Sequence, residues 1–375
     1  MLNNLEPSYK IKFNFITIIL LTVNVLNVYS KNILYGYNNF SLDMYEGFVT
    51  DKNKMHLNII DQYAKGINLS VSKKVTGNRD WHKYYNYPEV GFEFIYFNPG
   101  NPEVIGNVFS LAKYIDLNLL EPGPFDFDYR MSLGVAYSTK VFDPKTNYTN
   151  TFFSKHINFF FKFDLNTEIV IYKPYNIYLT GGVSLLHVSN GETKLPNDGI
   201  SAMTYFIGLT KKGEAKTSDQ KNNVKGKIKK IRISVSPLVG FKEDWRYGSD
   251  KFLELSISSD LAFQLNKKQL LGFGMDVFYD ESKKYYSNQN EDPVSTNKES
   301  LSGGISLQHQ LCLYPLNIVL KTGINLINNE LVNFKSYNLV GIKYFIIPSV
   351  YLSLYHKSHG PFYGDNIFWG AGYEF

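Results

Sequence analysis

Between Tyr175 and Leu209 the chain reads YNIYLTGGVSLLHVSNGETKLPNDGISAMTYFIGL, and within this stretch His187 and Ser189 stand two residues apart. On a β-strand, side chains at i and i+2 share one face with their Cβ atoms about 6–7 Å apart. The imidazole of His187 can therefore reach the hydroxyl of Ser189 and take its proton, which turns a weak hydroxyl into a nucleophile. The competing reading is a rim histidine beside a serine that ends a strand. The row that carries the pair is apolar: Tyr175, Ile177, Leu179, Val183 and Leu185 hold alternate positions, with Gly181 as the gap. A base and a nucleophile thus sit on a face that a soluble protein would bury and a membrane barrel would turn toward lipid.

Asn190-Gly191 opens a polar turn after this pair, and Pro196-Asn197-Asp198-Gly199 closes it before the next period-two strand. The pattern His-x-Ser-Asn, a short spacer, then Pro-Asn-x-Gly resembles the outer-membrane lipid A 3-O-deacylases of the PagL type. It is still more similar to their longer relatives, the acyloxyacyl hydrolases of Bacteroidetes. Further echoes are Trp81 to Gly91 (WHKYYNYPEVG), Gly134 to Lys140 (GVAYSTK), Asn147, Asn150, His156, and Lys357-Ser358-His359 followed by GAGYEF. The resemblance implies an outer-membrane barrel in which Ser189 is the nucleophile and His187 the general base. Asn190 or Gly191 is then expected near the developing oxyanion, and Asn197 and Gly199 shape the loop. Family members complete a triad with a glutamate fourteen positions after the histidine; here that position is Ser201. Ser201 lies on the row Met203, Tyr205, Ile207, Leu209, so the address of the acid is kept without its charge. Glu192, Asp198 and Asp365 are the alternative acids, and the Ser201 hydroxyl can itself orient the ring by a hydrogen bond.

The elements that must hold this loop read as a transmembrane β-barrel. The chain has Tyr 29, Phe 28 and Gly 28 with 44% hydrophobic residues, and its mean hydropathy is only −0.22. Aromatic-rich strands with middling hydropathy are expected where half of each strand faces water; a secreted β-sandwich or solenoid shares part of this signature. Tyr129, Met131, Leu133, Val135 and Tyr137 alternate with Arg130, Ser132, Gly134, Ala136 and Ser138. Ile157, Phe159, Phe161, Phe163 and Leu165 likewise oppose Asn158, Lys162, Asp164 and Asn166, and charges such as Lys162 and Asp164 belong in the lumen. About sixteen strands are counted, with fourteen also compatible. The leading expectation is one outer-membrane antiparallel barrel of about 14–16 strands over residues 31–375, and two eight-stranded halves are the second architecture. Tight connections at 173–176, 266–269, 313–317 and 346–349 alternate with longer polar ones at 140–154, 241–251, 281–300 and 357–366, which puts loop 190–200 outside the cell. The long charged stretch Thr210–Lys227 breaks that parity and is the place for an insertion or a boundary between halves.

Residues 1–30, with Lys10 and Lys12 before the apolar run Phe13 to Val28 and small Ser30, read as a cleaved signal peptide. The terminal Phe375 after an alternating strand resembles the signal read by the outer-membrane barrel-assembly machinery. One cysteine, Cys312, excludes an internal disulfide framework. A net charge of +5, whose densest cluster is KGKIKK at 225–230, gives no concentrated basic face for nucleic acid. The seven histidines show no zinc-ligand spacing, so no metal or other cofactor is expected. The expected partners are lipopolysaccharide, through its lipid A, and outer-membrane lipids. The expected function is a serine esterase removing an acyl chain from lipid A. The alternatives are a noncatalytic barrel, either porin-like with a lumen lined by Arg130, Lys162 and Asp164 or purely structural, and a secreted sugar-binding β-protein. At the far end of the chain, HKSHGPFYGDN places His356, Ser358, His359 and Asp365 in an expected extracellular rim loop.

Overall fold

The computed structural model describes residues 36–50, 58–118, 126–213, 230–243, 248–283, 300–327, 335–359 and 363–375. The expected leader and residues 225–229 of the basic run lie outside them. In chain order the strands are β1 (Asn39–Val49), β2 (Ala64–Lys74), β3 (Glu89–Asn98), β4 (Val108–Asn118), β5 (Asp126–Ser138), β6 (Ile157–Tyr172), β7 (Ile177–Ser189) and β8 (Ile200–Lys211). They continue as β9 (Ile231–Glu243), β10 (Lys251–Gln264), β11 (Gln269–Asp280), β12 (Leu301–Leu313), β13 (Leu316–Ile327), β14 (Ser336–Ile347), β15 (Val350–His359) and β16 (Tyr363–Glu374). A short helix, α1 (Asp80–Tyr84), interrupts the Trp/Tyr-rich connection between β2 and β3.

All neighbouring strands pair antiparallel, and they close as two barrels of eight, β1 to β8 and β9 to β16. The all-β barrel and its sixteen strands match the sequence, but the division into two is the architecture held second there. Strand alternation and turn parity are identical for one wall of sixteen or two of eight. What decides is the pairing of β1 with β8, which runs from Phe40 opposite Lys211 to Val49 opposite Ala202, and the pairing of β16 with β9, with Trp369 opposite Val239. The charged stretch after Leu209 is the passage from one barrel to the next.

Each wall shows one apolar face outward. Leu133, Val135, Phe159, Phe161, Val183, Leu185, Met203, Tyr205 and Ile207 are all exposed, whereas their alternate neighbours Ser132, Ala136, Asn158, Lys162, Ser184, Leu186, Ala202 and Thr204 are buried. A continuous apolar band of this size has no place in water and suits a hydrocarbon surround.

An eight-stranded barrel is just wide enough for side chains to fill its interior, and both interiors are filled with paired charges. In the first barrel Lys162 Nζ lies 2.9 Å from Glu93 and 2.7 Å from Asp164, and Arg130 meets Asp116 at 2.6 Å. In the second, Lys321 bridges Asp260 at 2.7 Å and Asp276 at 2.6 Å, and Lys343 adds a contact to Asp260 at 3.0 Å. Such networks pair these buried charges, and removing one partner of a buried pair costs about 3–5 kcal/mol. Arg130, Lys162 and Asp164 therefore plug the lumen they were expected to line.

The barrels touch at both ends. At the end of α1, Tyr85, Leu117 and Leu313 form one apolar cluster with Trp81 and Ile318 packed on it, and the Tyr85 hydroxyl donates to the Lys268 carbonyl at 2.8 Å. At the opposite end the contact is made by the loop that follows Ser189.

Candidate active site

β7 and β8 are paired so that His187 stands directly opposite Ser201, with Val188 opposite Ile200. Val188, Ile200 and Ala202 point inward and are buried, so alternation turns His187, Ser189 and Ser201 to the outer face together. Nδ1 of His187 lies 2.8 Å from Ser201 Oγ, and Nε2 lies 3.0 Å from Ser189 Oγ. In the tautomer protonated on Nδ1, the ring donates to Ser201 and accepts the Ser189 hydroxyl proton on Nε2, the arrangement a general base requires. Ser189, although on the outer face, is only 7% exposed. Loop 190–199 turns back over it at Gly199.

The loop is stitched from within. The Asn190 backbone N–H donates to Asn197 Oδ1 at 3.0 Å, and its side-chain amide donates to Ser154 Oγ and the Lys194 carbonyl, both at 2.9 Å. The backbone N–H groups of Asp198 and Gly199 donate to the carbonyls of Thr151 and Phe152, each at 3.1 Å. The segment they lean on is anchored by fully buried Phe152 and Phe153 and by Asn147, whose amide donates to the carbonyls of Val104 and Val141. Gly199 has φ +66°, and a Cβ there would stand 2.9 Å from Ser189 Cβ and 3.3 Å from His187 Cε1. Only glycine lets the chain turn this close to the pair. Asn197 and Gly199 thus occupy loop-shaping positions, while the donors of Asn190 are all engaged in the scaffold.

The same loop seals the seam between barrels. The Leu195 N–H donates to Glu243 Oε2 at 2.8 Å, and the Glu243 N–H donates to the Glu192 carbonyl at 3.2 Å. Gly191, at φ +63°, presses on β16 so closely that a Cβ would lie 2.3 Å from Ile367 Cδ1. Across the seam the ring of His356 lies 6.5 Å from that of His187, centroid to centroid. His356 was expected in a rim loop that need not adjoin the site. Instead the strands extend through most of HKSHGPFYGDN, with β15 reaching His359 and β16 beginning at Tyr363, and this face of the second barrel is what His187 meets. The contact had one sequence signal, the position of His356 on the outward row Leu352, Leu354, His356.

None of the three alternative acids hydrogen-bonds His187 among the described residues. Asp365 is held by Lys242 at 2.8 Å, Lys357 at 2.6 Å and His359 at 3.1 Å. Asp198 is exposed at the loop's outer edge. Glu192, at φ +58°, is turned toward the mouth of the second barrel, where burial and then the charge of Asp365 push its carboxyl up to about 8. Below the usual range near 4.5 Glu192 is protonated folded or unfolded. As pH rises from there to about 8 the folded loop keeps a proton that the unfolded chain releases, so stability falls through this window. Glu192→Gln should flatten the decline: melting temperatures of variant and parent should coincide near pH 5 and separate, with the variant higher, by pH 8.5.

Further along the wall, the outer face of β1, β7 and β8 forms an open groove of about 520 Å³ lined by Glu46, Phe48, Tyr63, Val183, Met203 and Tyr205. The Tyr205 hydroxyl donates to Glu46 at 2.8 Å along it. Met203 follows Ser201 on the same face of β8, so the groove runs away from the site down the apolar wall.

Residues 65–210 match the family model of lipid A 3-O-deacylase (PagL), and residues 231–375 match the C-terminal domain of acyloxyacyl hydrolase. The chain belongs to this deacylase family. The two matches meet the two barrels almost strand for strand, the first ending in β8 and the second starting with β9, and as a family member the chain is an outer-membrane barrel. A search of curated proteins found no match. Comparison with solved structures aligns CdiB from Acinetobacter baumannii at 8% identity and TM-score 0.20, over 90% of this chain. This chain spans 59% of the CdiB structure's length. Omp33 from the same organism aligns at 9% identity and TM-score 0.18, over 91% of this chain and 98% of its own. The β domain of the Bordetella autotransporter BrkA aligns at 9% identity and TM-score 0.21, over 90% and 98% respectively.

Proposed function

We propose that this deacylase-family barrel hydrolyses an acyl ester of lipid A at the outer leaflet, with Ser189 as nucleophile, His187 as general base and Ser201 in the place of the family's acid. The observation that carries the reading is the hydrogen-bonded row Ser201, His187, Ser189 on an apolar outer wall. A nucleophile on that face is useful only to a substrate whose ester lies at the membrane boundary. Ser189 Oγ attacks the ester carbonyl while its proton passes to His187 Nε2. Collapse of the tetrahedral species expels the sugar alkoxide, which takes that proton, and a water molecule repeats the sequence to release the fatty acid. Ser201 accepts from Nδ1–H throughout and so keeps Nε2 free to act. A hydroxyl orients the ring but stabilises the imidazolium less than a carboxylate, so turnover should be slow. The released acyl chain would lie along the apolar groove of Phe48, Val183, Met203 and Tyr205.

The anionic head group would meet Lys155, Lys194 and Lys251. Lys155 donates to Thr193 Oγ1 at 2.8 Å beside Lys194, and burial followed by the charge of Lys251 lowers its pKa, with the Glu243 carboxylate opposing the fall. Lys155→Ala should raise KM by roughly tenfold with little change in kcat, because it removes binding shared by ground and transition states. The direct test is fatty-acid release from purified lipopolysaccharide by the reconstituted protein, read by mass spectrometry. Release supports the reading; its absence favours a noncatalytic barrel of the same family, for which the hydroxyl at position 201 is the favouring observation.

A further inference from the structure

In a serine esterase the oxygen that becomes negative during attack needs hydrogen-bond donors placed in advance. Next to Ser189 the obvious residue is Asn190, yet its backbone N–H and both side-chain N–H groups are committed to Asn197, Ser154 and Lys194. Gly191 contributes one backbone N–H at most. Asn197, whose Oδ1 takes the Asn190 N–H, brings a side-chain amide to the same turn, and a further donor stands on the other barrel. Tyr355 and Lys357 point into the second lumen, the latter to Glu254 and Asp365, so His356 between them points out, toward β7. Its strand partner is Ile367, the side chain against which Gly191 is pressed. Gly191 thus meets Ile367, Ile367 stands opposite His356, and His356 faces His187, the ring that holds Ser189. The β15–β16 ladder shifts register between Lys357 and Ser358, a bulge of the kind that re-aims side chains beside active sites. Gly364 lies over the ring, where a Cβ would stand 3.1 Å from His356 Nε2, and having no side chain it leaves that flank of Nε2 open. Among the described residues His356 makes no hydrogen bond.

From this juxtaposition we propose that His356 is a catalytic residue supplied across the seam by the second barrel, its ring N–H donating to the ester carbonyl oxygen as Ser189 attacks. The inference rests on the reading given under Proposed function. As the Oγ–carbon bond forms, the carbonyl π pair moves to oxygen and the serine proton moves to His187. His356 keeps its own proton and only hydrogen-bonds the oxyanion, and collapse restores the carbonyl. The active site is then complete only when both barrels are present, which gives the second barrel a chemical role beyond covering the wall.

The test is kinetic, on full-length protein reconstituted in lipid, with assembly of each variant checked by heat-modifiable gel mobility. His356→Phe keeps the ring's bulk and removes the donor; His356→Ala removes both; His356→Gln restores a side-chain N–H. Loss of one oxyanion donor costs about 10²–10³ in kcat, so Phe and Ala should lose that much with KM within about twofold, while Gln should recover at least tenfold over Ala. Equal kcat in all four proteins overturns the proposal, as does an equal loss in Phe, Ala and Gln, which would make His356 a packing residue. Ser189→Ala separates the two levels of the account. If it abolishes turnover while His356→Phe does not, only the role of His356 fails; if wild type releases no fatty acid, the deacylase reading fails and takes this role with it.

Discussion

Ser189→Ala and His187→Ala should each reduce fatty-acid release by several orders of magnitude, to the residual rate that oxyanion donors and substrate binding alone sustain, with both barrels still assembled. The expected loss is large because nucleophile and base act as one unit: removing either leaves the other nothing to do, and comparable pairs lose about 10⁶ in kcat when either member is deleted. Assembly should survive because neither side chain is part of the lumen networks that hold the walls. Among the described residues their side-chain hydrogen bonds are to each other and to Ser201. A double variant should be no worse than either single one. Gel mobility shifts on heating, compared across the three proteins, separate lost chemistry from lost fold.

The second large effect should be a gain. Ser201→Glu places a carboxylate opposite His187 in the β7–β8 ladder, on the side of the ring where Nδ1 already reaches 2.8 Å to a hydroxyl. A carboxylate there stabilises the imidazolium formed during attack, the contribution whose loss costs about 10⁴ in a serine triad. Recovery of even a fraction of it should raise kcat by tenfold or more, and Ser201→Ala should lower it by freeing the ring to rotate. The added charge is near the strand end, where a charged substitution on a barrel's lipid face costs about 0–1 kcal/mol. A Ser201→Glu protein that assembles but turns over no faster would mean that orientation by the hydroxyl already suffices or that ring position is set by His356.

Much of this was legible in the sequence because β-strand periodicity is local. The row from Tyr175 to Ser189 put the base and nucleophile on one face, and the fourteen-residue step from His187 to Ser201 placed the two side by side across a hairpin. Closure was not legible, since it depends on contacts between residues far apart: Phe40 with Lys211 in one barrel and Trp369 with Val239 in the other. For the same reason Lys162 and Asp164 were assigned to a lumen without any sign that Glu93, from three strands earlier, would neutralise it. Asp365 illustrates the limit at the site itself. As a carboxylate in a histidine-containing stretch it looked available to His187, but its side chain is claimed by Lys242 and Lys357 from the lumen of its own barrel. His356 was visible on an outward row but not as a neighbour of His187, because strand alternation gives the face of a side chain and not what that face meets.

The central claim is that Ser189 and His187 form a working esterase on the outer wall. Mass spectrometry of lipid A from otherwise identical cells carrying wild-type protein, the Ser189→Ala variant or no protein tests it most directly. The account predicts lipid A lacking one acyl chain with wild type alone, and the unmodified species in the other two. Identical lipid A in all three, with wild-type protein assembled in the outer membrane, would contradict it.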